Sequence, residues 1–118
     1  HQAQNVEEIG SMAFFNCGAL VRMECPEKLN QLGARAFENC VSLEEILIPE
    51  GVEEIPERAF YRCHSLKRVD LPAGIKRIGR EAFAFCRELS RIRVGAEVQI
   101  EEGAFLGCGV ALRGGTAE

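Results

Sequence analysis

Five of the six cysteines in this 118-residue chain recur in one local pattern, four residues after an alanine and three after a phenylalanine. They lie in the segments AFFNC, AFENC, AFYRC, AFAFC and AFLGC, and are Cys17, Cys40, Cys63, Cys86 and Cys108. Thiols at regular spacing can pair as disulfides, ligate a metal, act as nucleophiles or pack as small apolar side chains. The spacing of the whole pattern is needed to choose among these chemistries.

The cysteine pattern belongs to a repeat, because the shared alanines at positions 13, 36, 59, 82 and 104 are 23, 23, 23 and 22 residues apart. Aligning them brings most of the chain into register, and we predict a single solenoid domain over residues 1–118. Its parts are a partial N-terminal unit at 6–19, full repeats at 20–42, 43–65, 66–88 and 89–110, and a C-terminal cap or truncation at 111–118.

Each repeat follows the consensus L-x-x-I-x-I-P-x-x-V-x-x-I-x-x-x-A-F-x-x-C. The alternation in L-x-x-I-x-I predicts a short strand, with Ile46 and Ile48 facing the core and Glu45 and Leu47 facing outward. The block A-F-x-x-C predicts a single helical turn, because side chains at i, i+3 and i+4 share one side of a helix. Stacked units would form a parallel sheet of four strands, roughly 15–20 Å wide.

Within such a stack the five cysteines form a line with one thiol per layer, and a line does not converge on a metal ion. No C-x-x-C pair is present, and the two histidines are His1 and His64. We expect the layers to be spaced more widely on the helical side, which disfavours disulfides between neighbours. The sequence therefore predicts buried, unpaired thiols that pack beside the phenylalanines, and the same for Cys25, which replaces an aliphatic residue.

The outward positions of the strands carry the variable side chains and are the candidate binding residues. Two rows result: Arg22, Glu45, Arg68 and Arg91 in one, and Glu24, Leu47, Asp70 and Arg93 beside it. Opposite charges on adjacent strands stabilise a sheet, which favours electrostatic register control between layers. The alternative is a basic patch of Arg68, Arg91 and Arg93 that attracts an acidic partner.

Net charge also differs between units, and this predicts further contacts between layers. Residues 43–65 sum to −4, from two basic and six acidic side chains, and residues 66–88 sum to +3, from six basic and three acidic ones. Glu53 and Glu54 are therefore expected beside Lys76 and Arg77.

Several functional classes are disfavoured. The net charge is −4, and no aromatic residue interleaves with the basic patch, which argues against nucleic-acid binding. No apolar run reaches the ~18 residues of a membrane span. His64 is the one internal histidine, no phosphate-cradling glycine motif occurs, and the glutamate pairs recur as surface positions. We predict no enzyme activity, no catalytic residues, no cofactor and no metal.

The motifs I-x-I-P, V-x-x-I and A-F-x-x-C, recurring together at a 23-residue period from residue 6 to about 110, resemble the BspA-like (Treponema-type) leucine-rich repeats of surface antigens. The resemblance implies an α/β, right-handed leucine-rich-repeat solenoid with one short strand and one short helical turn per ~23-residue repeat, and a parallel sheet on its concave face. It also implies binding to macromolecules, as in bacterial adhesins. The chain departs from the pattern at Cys25, at Gly95 in place of proline, and in the degenerate GVALRGG.

These observations predict a non-catalytic module that binds a protein through its concave strand face, in an adhesin-like role toward a host or cell-surface protein. The resemblance places the protein at the cell surface or in the secreted fraction. The alternative is a structural spacer or scaffold subunit, including an intracellular one, that associates end to end with further repeats or another subunit. The candidate site residues are Arg22, Glu24, Glu45, Leu47, Arg68, Asp70, Arg91 and Arg93.

Overall fold

The computed structural model describes residues 7–109 and the backbone of 112–113 and 116–117. Repeats 20–42, 43–65 and 66–88 each contribute two very short strands, where the sequence predicted one, and repeat 89–110 contributes one. The strands are β1 (Glu8–Ile9), β2 (Arg22–Glu24), β3 (Gln31–Leu32), β4 (Glu45–Leu47), β5 (Glu54–Ile55), β6 (Arg68–Asp70), β7 (Arg77–Ile78), β8 (Gln99–Ile100), β9 (Leu112–Arg113) and β10 (Thr116–Ala117). Strands β9 and β10 pair antiparallel, and the other four residues of the cap predicted at 111–118 lie outside the described residues.

The first strands of repeats 20–42, 43–65 and 66–88 build a three-stranded parallel sheet in the order β2-β4-β6. Residues at equivalent positions of adjacent repeats are paired across the strands. Glu24 therefore lies opposite Leu47, and Leu47 lies opposite Asp70. The alternation predicted from the sequence is confirmed in β4, because Ile46 is 3 % exposed and Leu47 is 61 % exposed. The sheet therefore has one face in the core and one face in solvent.

A fourth strand was predicted in this sheet and does not form among the described residues. The next repeat contributes only an isolated parallel bridge between Arg68 and Arg91. Two arginine residues are directly opposite at that point, and like charges across a strand pair are unfavourable. Gly95 also replaces the proline of the other units, and glycine weakens a strand because its unfolded backbone is freer.

The second strand of each repeat pairs on another side of the stack, as β1-β3 and as β5-β7-β8, all parallel. The V-x-x-I segment therefore adds a second ladder that joins the layers. Its inward residues, including Leu32, Ile55 and Ile78, are buried.

The predicted helical turn at A-F-x-x-C is wrong, because no helix is present in the part of the chain that the structure describes. Tight turns close within each layer, as from Ala36 N–H to Gly33 O at 3.2 Å and from Cys40 N–H to Phe37 O at 3.2 Å. The third residue of each of these turns has positive φ, 60° at Arg35 and 67° at Asn39. A helix cannot contain such residues, whereas type II turns require one.

The turns join neighbouring layers by backbone hydrogen bonds at every second residue. Phe37 N–H donates to Ala59 O at 2.8 Å, and Asn39 N–H donates to Tyr61 O at 2.7 Å. The expectation of wider spacing on this side is therefore also wrong. The A-F-x-x-C segments form a further ladder, with the layers as close together as strands in a sheet.

The core of the stack is a column of parallel phenylalanine rings, one from each layer. Their centroids are 5.1 to 5.4 Å apart along the series Phe14, Phe37, Phe60, Phe83 and Phe105. Phe37, Phe60 and Phe83 are fully buried. Ring stacking, aliphatic rows from the strands and the backbone ladders together fix the layers in register.

Candidate functional site

All eight predicted site residues line two adjoining grooves on the solvent side of the β2-β4-β6 sheet. We call this surface, made by the outward side chains of β2, β4 and β6 and by Arg91 and Arg93, the strand face. The first groove, of about 320 Å³, is lined from Arg22 to Asp70 across β2, β4 and β6. The second, of about 530 Å³, lies between β6 and residues 90–93. Arg68 and Asp70 line both grooves, so the two are continuous.

Two ion pairs neutralise the central charges of the strand face. Arg22 Nη1 lies 3.3 Å from Glu45 Oε2, as the alternating row predicted. Arg68 does not continue that row toward Glu45; its Nε lies 3.2 Å from Asp70 Oδ2 in the same strand. Both pairs are exposed, and such pairs contribute roughly 0 to 1 kcal/mol. They order the surface more than they stabilise the fold.

Three charges of the strand face remain without an opposite charge within 4.0 Å among residues 7–109. These are Glu24 at one end of the face, and Arg91 and Arg93 at the other. Both arginines are exposed and line the larger groove. The strand face therefore carries its unpaired negative charge at one end, on β2, and its two unpaired positive charges at the other end, on residues 91 and 93.

Leu47 is the apolar centre of this arrangement. It is 61 % exposed, the highest value among the large hydrophobic side chains exposed in the described residues. Its in-register neighbours are Glu24 and Asp70, so charged side chains flank it on both sides. An exposed leucine between charged residues gives the face a point where a partner can bury apolar surface.

The expected contacts between the acidic and basic units are confirmed on the second ladder. Lys76 Nζ lies 3.4 Å from Glu53 Oε1, and Arg77 Nη1 lies 2.6 Å from Glu54 Oε2. Arg77 also contacts Glu101 at 3.1 Å, in the following layer. These charges are paired within the protein, which supports the interpretation of electrostatic register control for this side of the stack.

The interior thiols have a role that sequence reasoning missed. Each donates to the carbonyl of the phenylalanine one layer before it: Cys40 to Phe14, Cys63 to Phe37 and Cys86 to Phe60, all at 3.1 Å. Cysteine is a small apolar residue with a weak donor, and it fits a position that needs both properties. The recurrence of cysteine in place of alanine or valine was the available signal.

Burial of the thiols agrees with the prediction in the middle of the stack and not at its ends. Cys40, Cys63 and Cys86 are buried, whereas Cys17, Cys25 and Cys108 are partly exposed. Burial raises the pKa of Cys40 to about 12 and that of Cys25 to about 11. Hydrogen bonding with the Cys86 thiol lowers the pKa of Cys108.

A second cluster that the sequence did not predict lies on the turn side, around the one tyrosine of the chain. The Arg58 guanidinium lies 4.3 Å from the centroid of the Tyr61 ring, and its Nε lies 2.8 Å from Glu81. Tyr61 meets Phe85 edge to face at 5.7 Å. Because its members contact one another, the cluster stabilises the turns of neighbouring layers. Tyr61 is the one tyrosine of the chain, and a single aromatic residue gave little indication of this cluster in the sequence.

Within residues 7–109 and the described tail strands, no three His, Cys, Asp or Glu side chains are grouped to hold a metal ion. None of the described segments is a helix with the length and apolarity to cross a bilayer. The chemistry that the strand face offers is ion pairing and apolar contact.

A parallel stack with these three ladders, this period and these inward rows is a leucine-rich-repeat solenoid. The sequence profile described as "BspA type Leucine rich repeat region" matches residues 2–111, in six copies. The chain belongs to this family of leucine-rich-repeat proteins, a class suited to protein–protein interaction.

Three solved structures are similar to this chain. A leucine-rich-repeat protein from T. pallidum is 33 % identical with a TM-score of 0.80, over 86 % of this chain and 48 % of that one. One from Bacteroides ovatus is 35 % identical with a TM-score of 0.76, over 85 % and 26 %. A protein described as a leucine rich cell surface protein, from Faecalibacterium prausnitzii, is 26 % identical with a TM-score of 0.61, over 87 % and 35 %.

The chain therefore spans less than half the length of each of these proteins. None of the three descriptions names an enzymatic activity. Comparison with curated protein sequences gives no match.

Proposed function

We propose that this protein is a non-catalytic interaction module that docks a protein partner on the strand face. The observation that carries the proposal is the placement of Leu47, 61 % exposed, within two continuous grooves that all eight candidate residues line. The backbone ladders and the phenylalanine column hold this surface rigid before binding, and a preorganised surface loses less entropy when it binds. A role at the cell surface, as an adhesin toward a host or cell-surface protein, is part of the proposal.

The test removes the basic end of the face and compares it with a matched surface change. One variant replaces Arg68, Arg91 and Arg93 with serine. The control replaces Lys28, Arg80 and Arg87, which are exposed and line neither groove. Each variant removes three positive charges and takes the net charge from −4 to −7. Stability should change little in either, because the ion pair that is lost is exposed.

The wild-type protein and both variants are immobilised and exposed to surface-protein extracts. Bound species are identified, purified and titrated against the immobilised proteins. We expect a partner that binds the wild type and the control equally, and the Arg68, Arg91 and Arg93 variant at least tenfold more weakly. If purified partners bind all three proteins alike, the binding surface is elsewhere and the proposal is wrong.

The alternative, a spacer within a longer stack, is favoured by apolar side chains on the end layers. Met12 and Phe15 on the first layer are 46 % and 36 % exposed, and Leu106 on the last described layer is 53 % exposed. Sedimentation velocity over a concentration series tests it. End-to-end association that is lost on replacing Met12 and Phe15 with serine would support the spacer, and a monomer at every concentration would contradict it.

A further inference from the structure

The charges that remain unpaired on the strand face are negative at one end and positive at the other, so the two ends are chemically different. The pairs Arg22–Glu45 and Arg68–Asp70 cancel at its centre. What is left, read across the layers, is a carboxylate at Glu24, an exposed leucine at Leu47 and two guanidinium groups at Arg91 and Arg93. A partner that complements this order must present its charges in the reverse sense, around an apolar residue.

We infer that the strand face recognises an extended peptide segment in which an acidic group, an apolar side chain and a basic side chain follow in that order across the layers. This inference rests on the proposed function and specifies the chemistry of the partner. The acidic group binds Arg91 and Arg93, the apolar side chain packs on Leu47, and the basic side chain pairs with Glu24.

The spacing of the layers sets the spacing of that segment. Adjacent strands are ~4.8 Å apart, and an extended chain rises ~3.3 Å per residue. Leu47 lies two layers from the repeat of Arg91 and Arg93, roughly 10 Å, which corresponds to about three residues of the peptide. Glu24 lies one layer beyond Leu47, so the basic residue follows the apolar one after one or two positions.

The shape of the surface favours an extended segment over a bulky partner. The two grooves run across β2, β4 and β6 to residues 90–93 and share Arg68 and Asp70. Residues 90–93 form no strand and are paired with β6 only at the isolated bridge between Arg68 and Arg91, and the larger groove, about 530 Å³, lies beside that bridge. The missing strand pairing therefore makes room for the acidic end of the peptide next to the two unpaired guanidinium groups.

The experiment uses the complete 118-residue chain and fluorescein-labelled peptides of seven residues. The ordered peptide carries two aspartates at one end, a leucine three residues after the second, and a lysine at the other end, with serine and glycine between. The control peptide has the same composition with the lysine between the aspartates and the leucine. Reversing the direction of the control does not restore the order.

Binding is measured by fluorescence anisotropy at about 20 mM and 300 mM salt, because exposed charges are screened within a Debye length of ~10 Å at 0.1 M salt. We expect the ordered peptide to bind at least fivefold more tightly than the control at low salt, and both to weaken at high salt. Leu47→Asp should remove most of this difference. Lys28→Ser, away from both grooves, should leave it unchanged.

A charge exchange tests the assigned direction. The variant R91E/R93E should lose the ordered peptide at least tenfold and gain a peptide in which two lysines replace the aspartates while the terminal lysine is kept, because Glu24 is unchanged in this variant. Glu24→Lys should lose the ordered peptide by a few-fold and favour a version ending in glutamate.

Equal binding of the ordered and control peptides would overturn the inference, as would failure of the charge exchange. Binding of a sulfated polysaccharide with no binding of any peptide would also overturn it, since the basic end alone would then be the site. These results are separate from the test of the proposed function. A protein partner lost on replacing Arg68, Arg91 and Arg93 would stand even if peptide order proved unimportant.

Discussion

Replacing Phe60 with leucine tests whether the column of rings is a main source of stability. Phe60 is fully buried and stacks on Phe37 and on Phe83, each at 5.2 Å. Leucine keeps the site apolar but removes both ring contacts and part of the packed volume. Each stacked pair is worth about 0.5–1.5 kcal/mol beyond burial, and the lost packing adds about 1 kcal/mol. The free energy of unfolding should fall by about 2–4 kcal/mol.

The matched control is Phe14→Leu at the first layer of the column. Phe14 is partly exposed and stacks on one ring, Phe37, at 5.1 Å. One ring pair is lost and little packed volume, so the cost should be about 0.5–1.5 kcal/mol. Urea unfolding followed by circular dichroism and by the fluorescence of Tyr61 gives both values, and coincidence of the two signals checks two-state behaviour. Equal costs at Phe14 and Phe60 would refute the reasoning, because the number of ring contacts would then not matter.

Four further predictions concern single residues. A Cβ at Gly79 would lie 2.8 Å from the backbone nitrogen of Glu57, whereas one at Gly74 would meet nothing within 4 Å. Gly79→Ala should therefore lower the free energy of unfolding by about 1–3 kcal/mol, and Gly74→Ala by less than about 0.5 kcal/mol. Similar urea midpoints for the two variants would contradict this prediction. Met12 has φ of 60°, so Met12→Gly should be more stable than Met12→Ala by about 0.5–1 kcal/mol in the same assay, the reverse of the usual order. Because hydrogen bonding lowers the pKa of Cys108 and burial raises that of Cys40 to about 12, iodoacetamide at pH 8 should alkylate Cys108 before Cys40 in the native protein, which peptide mapping would show. The pKa of Cys40 is raised from an ordinary value of 9.0 to about 12 in the folded protein. Because the thiol then ionises first in the unfolded state, the folded state loses stability as the pH rises above 9.

The sequence predicted the strand face well because alternation has one structural meaning. With Ile46 and Ile48 inward, Leu47 must face outward, and its repeat equivalents must lie beside it in the sheet. The period of the repeat then supplied the register, including Glu24 opposite Leu47. Both inferences depend on the order of residue types along the chain and need no knowledge of side-chain conformation.

The A-F-x-x-C segment was misassigned because i, i+3 and i+4 spacing also suits two successive tight turns. The residues with positive φ stand just before the alanine and just before the cysteine of each unit. Asn16, Asn39, Gly103 and Gly107 occupy these positions, and asparagine and glycine are the types that tolerate them. The signal was obscured because other units place Arg58 or Phe85 there, where the left-handed backbone costs roughly 1–2 kcal/mol.

Which charges pair could not be predicted from rows of residues. The alignment placed two carboxylates, those of Glu45 and Asp70, near Arg68. Which of them pairs with Arg68 depends on side-chain conformation, and in the structure it is Asp70. That choice matters for the proposed function, because it leaves Arg91 and Arg93 without an internal carboxylate among the described residues while Glu24 stays unpaired at the far end. A repeat whose every charge was matched across layers, as Glu53–Lys76 and Glu54–Arg77 are on the second ladder, would offer a partner little electrostatic contrast. The departures from perfect repetition on the strand face are therefore the features that can distinguish one partner from another.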